Sequence, residues 1–307
     1  MTTTRRRSLR PWWTAAKWLA LLVLLALAAH AGHLRAVIAA LGRADRSWIA
    51  AAFGLGAVML VLRTAKWRWL LVRVHPQTSW LTAARSLLGG MALGLVTPGR
   101  VGEVGRAAFL PPGVRLTAAG LFIIDRAADL AALGAAACLG TLGVAPTTWR
   151  WPLALAGVGC VGMVFVLPVV LSAVLAARRL PGRLREKLCP AATALAQLRR
   201  RDIAANIAAG LALTALDIVS LYALARAFEP VRFAVVAFAF PWIVLTNLVP
   251  VTPAGVGVRE GAAAGILQAY GVALPTAVNA ALLLFAINTL APALVGLVWI
   301  GKRSSAA

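Results

Sequence analysis

Charge is scarce in this chain. Asp, Glu, Lys and Arg make up 13% of its 307 residues, nine of them acidic, while 61% are hydrophobic. Soluble domains carry about 25% charged residues, so an ordinary water-soluble fold, with nowhere to hide that apolar surface, is excluded. Cysteine is scarce too. Cys138, Cys160 and Cys189 have neither metal-binding nor redox spacing, and two lie inside apolar runs, so they read as packing residues. The three histidines, His30, His33 and His75, have no ligand spacing. There is no His-Glu-x-x-His, no Gly-x-Ser-x-Gly, no Walker A sequence and no Asp-rich prenyl-phosphate motif. These absences speak against metal-assisted or serine hydrolysis and against an ATP-driven pump. No catalytic residue, metal or cofactor is expected.

What is present is a succession of apolar stretches that approach or exceed the roughly 20 residues a helix needs to cross the hydrocarbon core. Full spans are expected at 12–32, 48–72, 116–144, 151–177, 203–225 and 274–300. Two segments, 81–112 and 233–272, do not fit a simple crossing. Each is an apolar run, a Gly-rich Thr-Pro turn and a second apolar piece too short to span. Irregular backbone is not tolerated against lipid, so each is expected to be a re-entrant or broken helix lining a protein-enclosed cavity. The expected fold class is an all-α polytopic membrane protein of about six full spans plus two such hairpins. It forms one integral membrane domain over 1–307, with repeat halves at 48–144 and 203–300 joined by span 151–177 and a basic cytoplasmic segment at 178–202. The opening basic cluster, apolar core and Ala29-His30-Ala31 imitate a signal peptide, but the spans that follow favour an uncleaved first helix.

The net charge of +22 raises the question of nucleic acid, but the basic residues gather at the ends of apolar spans, which speaks against that partner. If each hairpin enters and leaves on one side, both termini face the cytoplasm. Arg5, Arg6, Arg7, Arg10, the basic groups at 63–73, 178–187 and 199–201, Lys302 and Arg303 then fall inside. That is the positive-inside pattern, here assigned to the cytoplasmic (inner) membrane.

The two turns, Thr97-Pro98-Gly99-Arg100-Val101-Gly102 and Thr252-Pro253-Ala254-Gly255-Val256-Gly257, match at four of six positions. On this topology one hairpin enters from the cytoplasm and the other from outside, so the unit of span, hairpin and span occurs twice in opposite orientation. Inverted repeats with interrupted helices point to a transporter site near the midplane; the alternative is that Thr-Pro-Gly merely breaks a helix between two unrelated bundles. Threonine can act as N-cap and proline suits the first helical position. Short helices are therefore expected to start at Pro98 and Pro253 with their N-termini inward, where free N–H groups receive phosphate or carboxylate.

Arg100, Arg106 and Arg259 could pair with that anion bidentately, or alternatively reach lipid phosphates at the interface. The candidate anionic head-group site is thus Thr97, Pro98, Arg100, Gly102, Arg106, Thr252, Pro253, Gly255, Gly257 and Arg259. Glu103 and Glu260, at nearly equivalent places after the turns, suit salt bridges with those arginines or a cation or proton site. Asp125, Arg126 and Asp129 lie inside an apolar span, where charge is costly and turned to the bundle interior; Arg126 can reach Asp129 at i,i+3. With Asp217, the only acid within its span, they make an intramembrane charge network, structural or a functional relay.

Three pieces of the chain resemble one family: TPGRVGEVGRAAFL at 97–110, IDRAADL at 124–130 and PVTPAGVGVREGAAAGIL at 250–267. The family is that of flippase-like integral membrane proteins that include the transmembrane region of lysylphosphatidylglycerol synthases. In order and spacing the resemblance runs from about residue 10 to 300. It implies a polytopic bundle that moves or handles anionic lipids, among them aminoacylated phospholipids and polyprenyl-linked sugars. The 307 residues hold no aminoacyltransferase domain, so lysyl transfer is not expected.

The expected function is a lipid flippase-like transporter, not an enzyme. It would lodge an anionic phospholipid or polyprenyl-phosphate-linked head group between the half-helices while the tails stay in the bilayer. One alternative is a non-transporting accessory protein that presents a lipid-linked substrate to a glycosyltransferase or aminoacyltransferase; another is an intramembrane enzyme. The expected partners are membrane lipids and, in the accessory reading, a lipid-modifying enzyme.

Overall fold

The computed structural model describes residues 39–97, 100–142, 147–175, 198–246, 252, 255 and 257–304, with positions 188, 192, 195 and 196. The expected first span, most of the basic segment at 178–202, Cys189, Pro98 and Pro253 lie outside the described residues.

Helix α1 (Arg46–Val74) starts at Asp45, whose carboxylate accepts from the Ser47 hydroxyl at 2.6 Å and amide at 2.8 Å. These bonds hold the Asp45 carboxyl below the usual carboxylate range. At about 1.5 Å per residue, the 29 residues of α1 reach about 43 Å, more than the roughly 30 Å of hydrocarbon. Helix α2 (Trp80–Val96), capped by Ser79 through the Thr82 amide at 3.1 Å, leads into a 3-10 helix at Val101–Phe109. A short 3-10 turn at Pro112–Val114 then feeds α3 (Arg115–Leu142). There follow α4 (Thr147–Leu175), α5 (Arg200–Arg226), α6 (Phe233–Leu245), α7 (Val258–Gln268), α8 (Leu274–Phe285), a π-helical turn at Ala286–Leu290 and α9 (Ala291–Ser304).

Among the described residues every regular element is helical, as the all-α polytopic class requires. Among the described residues four stretches are long and apolar enough to cross a membrane: Arg46–Val74, Arg150–Val174, Arg200–Arg226 and Leu274–Trp299. Helix α3 has 28 residues, but Asp125, Arg126 and Asp129 interrupt its apolar surface. Helix α4 packs chiefly on α3 and leaves Trp151, Leu155, Met163 and Val169 exposed, the composition of a lipid-facing surface. Cys138 and Cys160 are free thiols packed between α3 and α4.

The chain breaks at both Thr-Pro turns, but the new helices do not begin at the prolines as expected. Thr97 is extended and closes α2, and the next helix starts at Val101; α7 starts at Val258. Each start is set by a residue with positive φ, Arg100 at 57° and Gly257 at 86°. Arg100 is left-handed and Gly257 has a positive φ with negative ψ that glycine tolerates, and each turns the chain just before the helix that follows.

Packing falls into matched pairs. Helix α3 lies on α6 as α9 lies on α2, and α1 crosses α5. Glycines mark corresponding points of close approach. A Cβ on Gly140 of α3 would come within 3.1 Å of the Ala237 carbonyl of α6, and Gly296 of α9 sits directly on the Leu88 carbonyl of α2. Gly56 of α1 faces Ile287, and Gly210 of α5 faces the Ala128 carbonyl; these two glycines are 154 positions apart, as are Arg63 and Asp217.

Candidate functional site

The 3-10 helix puts three charges in one line. At about three residues per turn, side chains three apart eclipse one another. Arg100, Glu103 and Arg106 therefore stack on one face, while Val101 and Val104 point outward. The charged face lies on glycines of α2, where a Cβ at Gly94 would meet Glu103 Cγ at 2.6 Å and one at Gly90 would meet Arg106 Cβ at 2.7 Å.

Glu103 is buried under three guanidinium groups, Arg100 at 2.5 Å, Arg126 at 3.3 Å and Arg106 at 3.6 Å. Arg106 also reaches Asp125 at 3.0 Å and lies over the rings of Phe122 and Trp67, 4.4 and 4.7 Å from their centroids. Its carbonyl accepts from the Ser86 hydroxyl at 2.8 Å, which in turn accepts the Trp67 indole N–H at 3.1 Å. Lys66 of α1 pairs with Asp125 at 2.9 Å and with Asp129. Such mutual pairing is what makes charge tolerable away from water.

A second group joins α1, α5 and the π-helical turn. Arg63 pairs with Asp217 at 3.2 Å and donates to the Asn288 carbonyl at 3.2 Å, while Asn288 Nδ2 donates to the other Asp217 oxygen at 2.8 Å. A π-turn shifts the register of the helical ladder, which opens a carbonyl to an outside donor.

The third group is the Arg259–Glu260 pair at 3.3 Å, with Arg259 over Phe285 at 4.8 Å. Glu260 also accepts from the Gly257 amide at 2.6 Å, just as Thr97 accepts from the Gly102 amide at 2.7 Å. Those two amides are thus capped from within, and the second tip already holds an anion, the protein's own carboxylate. Thr252 is buried, and Gly255, at φ 74°, accepts from the Arg259 amide at 3.2 Å.

The groups share one centre. Arg100 lies in the electrostatic field of Arg126, Arg63 and Arg259, Glu103 in that of Arg63, and Arg259 in that of Asp217. Six cations (Arg63, Lys66, Arg100, Arg106, Arg126, Arg259) meet five carboxylates (Glu103, Asp125, Asp129, Asp217, Glu260), leaving one positive charge over. Exposure divides the cations. The side chains of Arg63, Arg100 and Arg126 are 25, 27 and 36% exposed, that of Arg106 only 5%. The first three can meet a ligand directly, whereas Arg106 is a buried strut and Arg259, 9% exposed, is reached only if Glu260 gives way.

Four side chains are placed differently from the sequence expectations. Arg63 and Lys66, grouped by the charge pattern with interfacial basic residues, turn inward. Met59, Arg63, Lys66, Trp67 and Leu70 fall on one face of α1, and that spacing was the available signal. Arg126 turns to Glu103, and Asp129 is taken by Lys66. Asn288 had no signal, being uncharged and placed by a π-turn that no residue type announces. Among the described residues no three His, Cys, Asp or Glu side chains gather as a metal site.

Among curated proteins, none matches the chain. A family model described as Lysylphosphatidylglycerol synthase TM region matches residues 14–296 and so covers both interrupted segments and every member of the charged centre. The chain is a multi-pass membrane protein that belongs to the lysylphosphatidylglycerol synthase transmembrane-region family.

Proposed function

We propose that the chain is a flippase-like transporter that carries the phosphate-bearing head group of an anionic lipid, without covalent chemistry, through the centre between its two interrupted segments. The observation behind this reading is the convergence of Arg63, Arg100, Arg126 and Arg259 on one centre with a net positive charge. A phosphate entering there competes with Glu103, Asp217 and Glu260 for guanidinium groups that are already oriented by those carboxylates. The matched packing pairs support treating 48–144 and 203–300 as an inverted repeat, whose halves rock about the α1–α5 crossing. Segments 81–112 and 233–272 then act as re-entrant hairpins, and both termini face the cytoplasm from the cytoplasmic membrane. The family's name points to lysylphosphatidylglycerol, whose phosphodiester suits these guanidinium groups although its lysyl amines make the whole lipid cationic; phosphatidylglycerol and a polyprenyl phosphate are anionic lipids that offer a phosphate.

Liposomes holding the protein and a fluorescent phosphatidylglycerol or polyprenyl phosphate, quenched from outside by dithionite, test the reading. Wild type is expected to move at least one of these lipids, and the Arg100→Gln, Arg126→Gln double variant to slow by about tenfold or more. Equal rates in both proteins would remove the site. Tight binding by wild type without movement would favour the accessory role, in which the lipid is presented to an enzyme.

A further inference from the structure

Arg63 belongs to two groups at once. It holds Asp217 at 3.2 Å, and it stands in the field of Arg100 at the proposed anion site, 25% exposed. Asp217 has few other neighbours. Asn288 Nδ2 donates to it at 2.8 Å from the π-turn, and Asp129 of α3 and Arg259 of α7 act on it through space. Among the described residues Arg63 is the one cation in ion-pair contact with it. Asn288 is buried, 7% exposed, and its Oδ1 has no hydrogen-bond partner, although buried amide oxygens are ordinarily bonded.

We propose that Asp217 takes up one proton each time an anionic head group engages Arg63, so that lipid and proton move together. The inference rests on the transporter reading above. A phosphate oxygen draws the Arg63 guanidinium away from Asp217. Left without its guanidinium, 19% exposed and within reach of the Asp129 carboxylate, the side chain favours the neutral acid. The proton comes from hydronium: one O–H bond breaks there and one forms on Asp217, with no electron transfer. Turning the Asn288 amide over then presents its unpartnered Oδ1 as acceptor for the new carboxyl proton. When the head group leaves, Arg63 returns to Asp217 and the proton goes back to water. The phosphodiester of phosphatidylglycerol carries one negative charge, so that head group and one proton together are neutral, which removes the penalty of moving a net charge across the bilayer.

The test is a titration of dioctanoyl phosphatidylglycerol into the purified full-length protein in weakly buffered detergent. Calorimetry reads binding and an indicator dye reads protons. The expected result is about one proton taken up per lipid bound, with apparent affinity falling about tenfold per pH unit on the alkaline side. The Asp217→Asn protein is expected to bind with no uptake and a flat pH profile. Wild-type binding without uptake, or uptake that persists in D217N, overturns the coupling and leaves the anion site standing. Absence of any wild-type binding, to this lipid and to a short-chain polyprenyl phosphate titrated in the same way, overturns the transporter reading and the coupling with it. The wild-type titration decides the matter even if D217N does not fold.

Discussion

Arg63 and Asp217 stand at the same place in two corresponding helices, each seventeen residues past the first residue of α1 or α5, and they pair with each other at 3.2 Å. When two helices are related by a twofold axis, equivalent residues meet only on that axis. On the proposed inverted repeat, the two halves would share a backbone arrangement and differ in charge here, with a cation from one and an acid from the other. Asn288 ties the pair to the π-turn between α8 and α9.

A double-mutant cycle with Arg63→Gln and Asp217→Asn should show a coupling of about 1 kcal/mol in detergent unfolding, the partial exposure of both side chains keeping it well below a fully buried pair. A coupling near zero would mean the two helices are held by apolar contacts alone.

Arg106→Ala should destabilise the protein by about 3–5 kcal/mol, because it takes a buried cation from Asp125, leaving that acid to Lys66 alone, and empties the space over Phe122 and Trp67. Arg106→Lys should recover little of this, since an ammonium cannot serve two carboxylates and two rings as a planar fork does. Arg100→Ala, with its partly exposed side chain, should cost about 1 kcal/mol or less. Equal unfolding midpoints for Arg106→Ala and Arg100→Ala would contradict the strut role.

Gly140→Leu and Gly296→Leu should each lower the unfolding midpoint by a comparable amount, on the order of 3 kcal/mol or more, because each forces backbones apart at a matched helix contact. Gly159→Ala and Gly162→Ala, on open faces of α4 where an added Cβ meets nothing within 4 Å, should be neutral or mildly stabilising. A large effect from the second pair, or none from the first, would count against the packing described.

Glu260→Gln should tighten binding of dioctanoyl phosphatidylglycerol by on the order of tenfold, since it removes the acid that Arg259 now pairs with while an amide oxygen can still cap Gly257. Calorimetric titration of the two proteins side by side checks it. Weaker binding by the variant would show that Glu260 holds Arg259 in place for the anion instead of competing with the anion for it.

The apolar stretches and the two breaks could be read along the chain because each is a local property: about 20 hydrophobic residues in a row, or a Thr-Pro-Gly cluster that no helix continues through. The clustering of Glu103, Arg106, Asp125 and Arg126 was likewise foreshadowed, since charge inside an apolar helix must face a partner. Where the second helices start was not, because that depends on a single residue at positive φ, and Arg100 is not a residue whose type announces it.

Residue order alone therefore settled that this chain lives in a bilayer and where its helices must stop, since hydration and backbone breaking act over one or two turns. Which charge answers which was left to the assembled bundle. Lys66 finds Asp129 across 63 residues and Arg63 finds Asp217 across 154. The strength of an ion pair depends on which helical faces meet and how much water they exclude, and neither exists until the helices have packed.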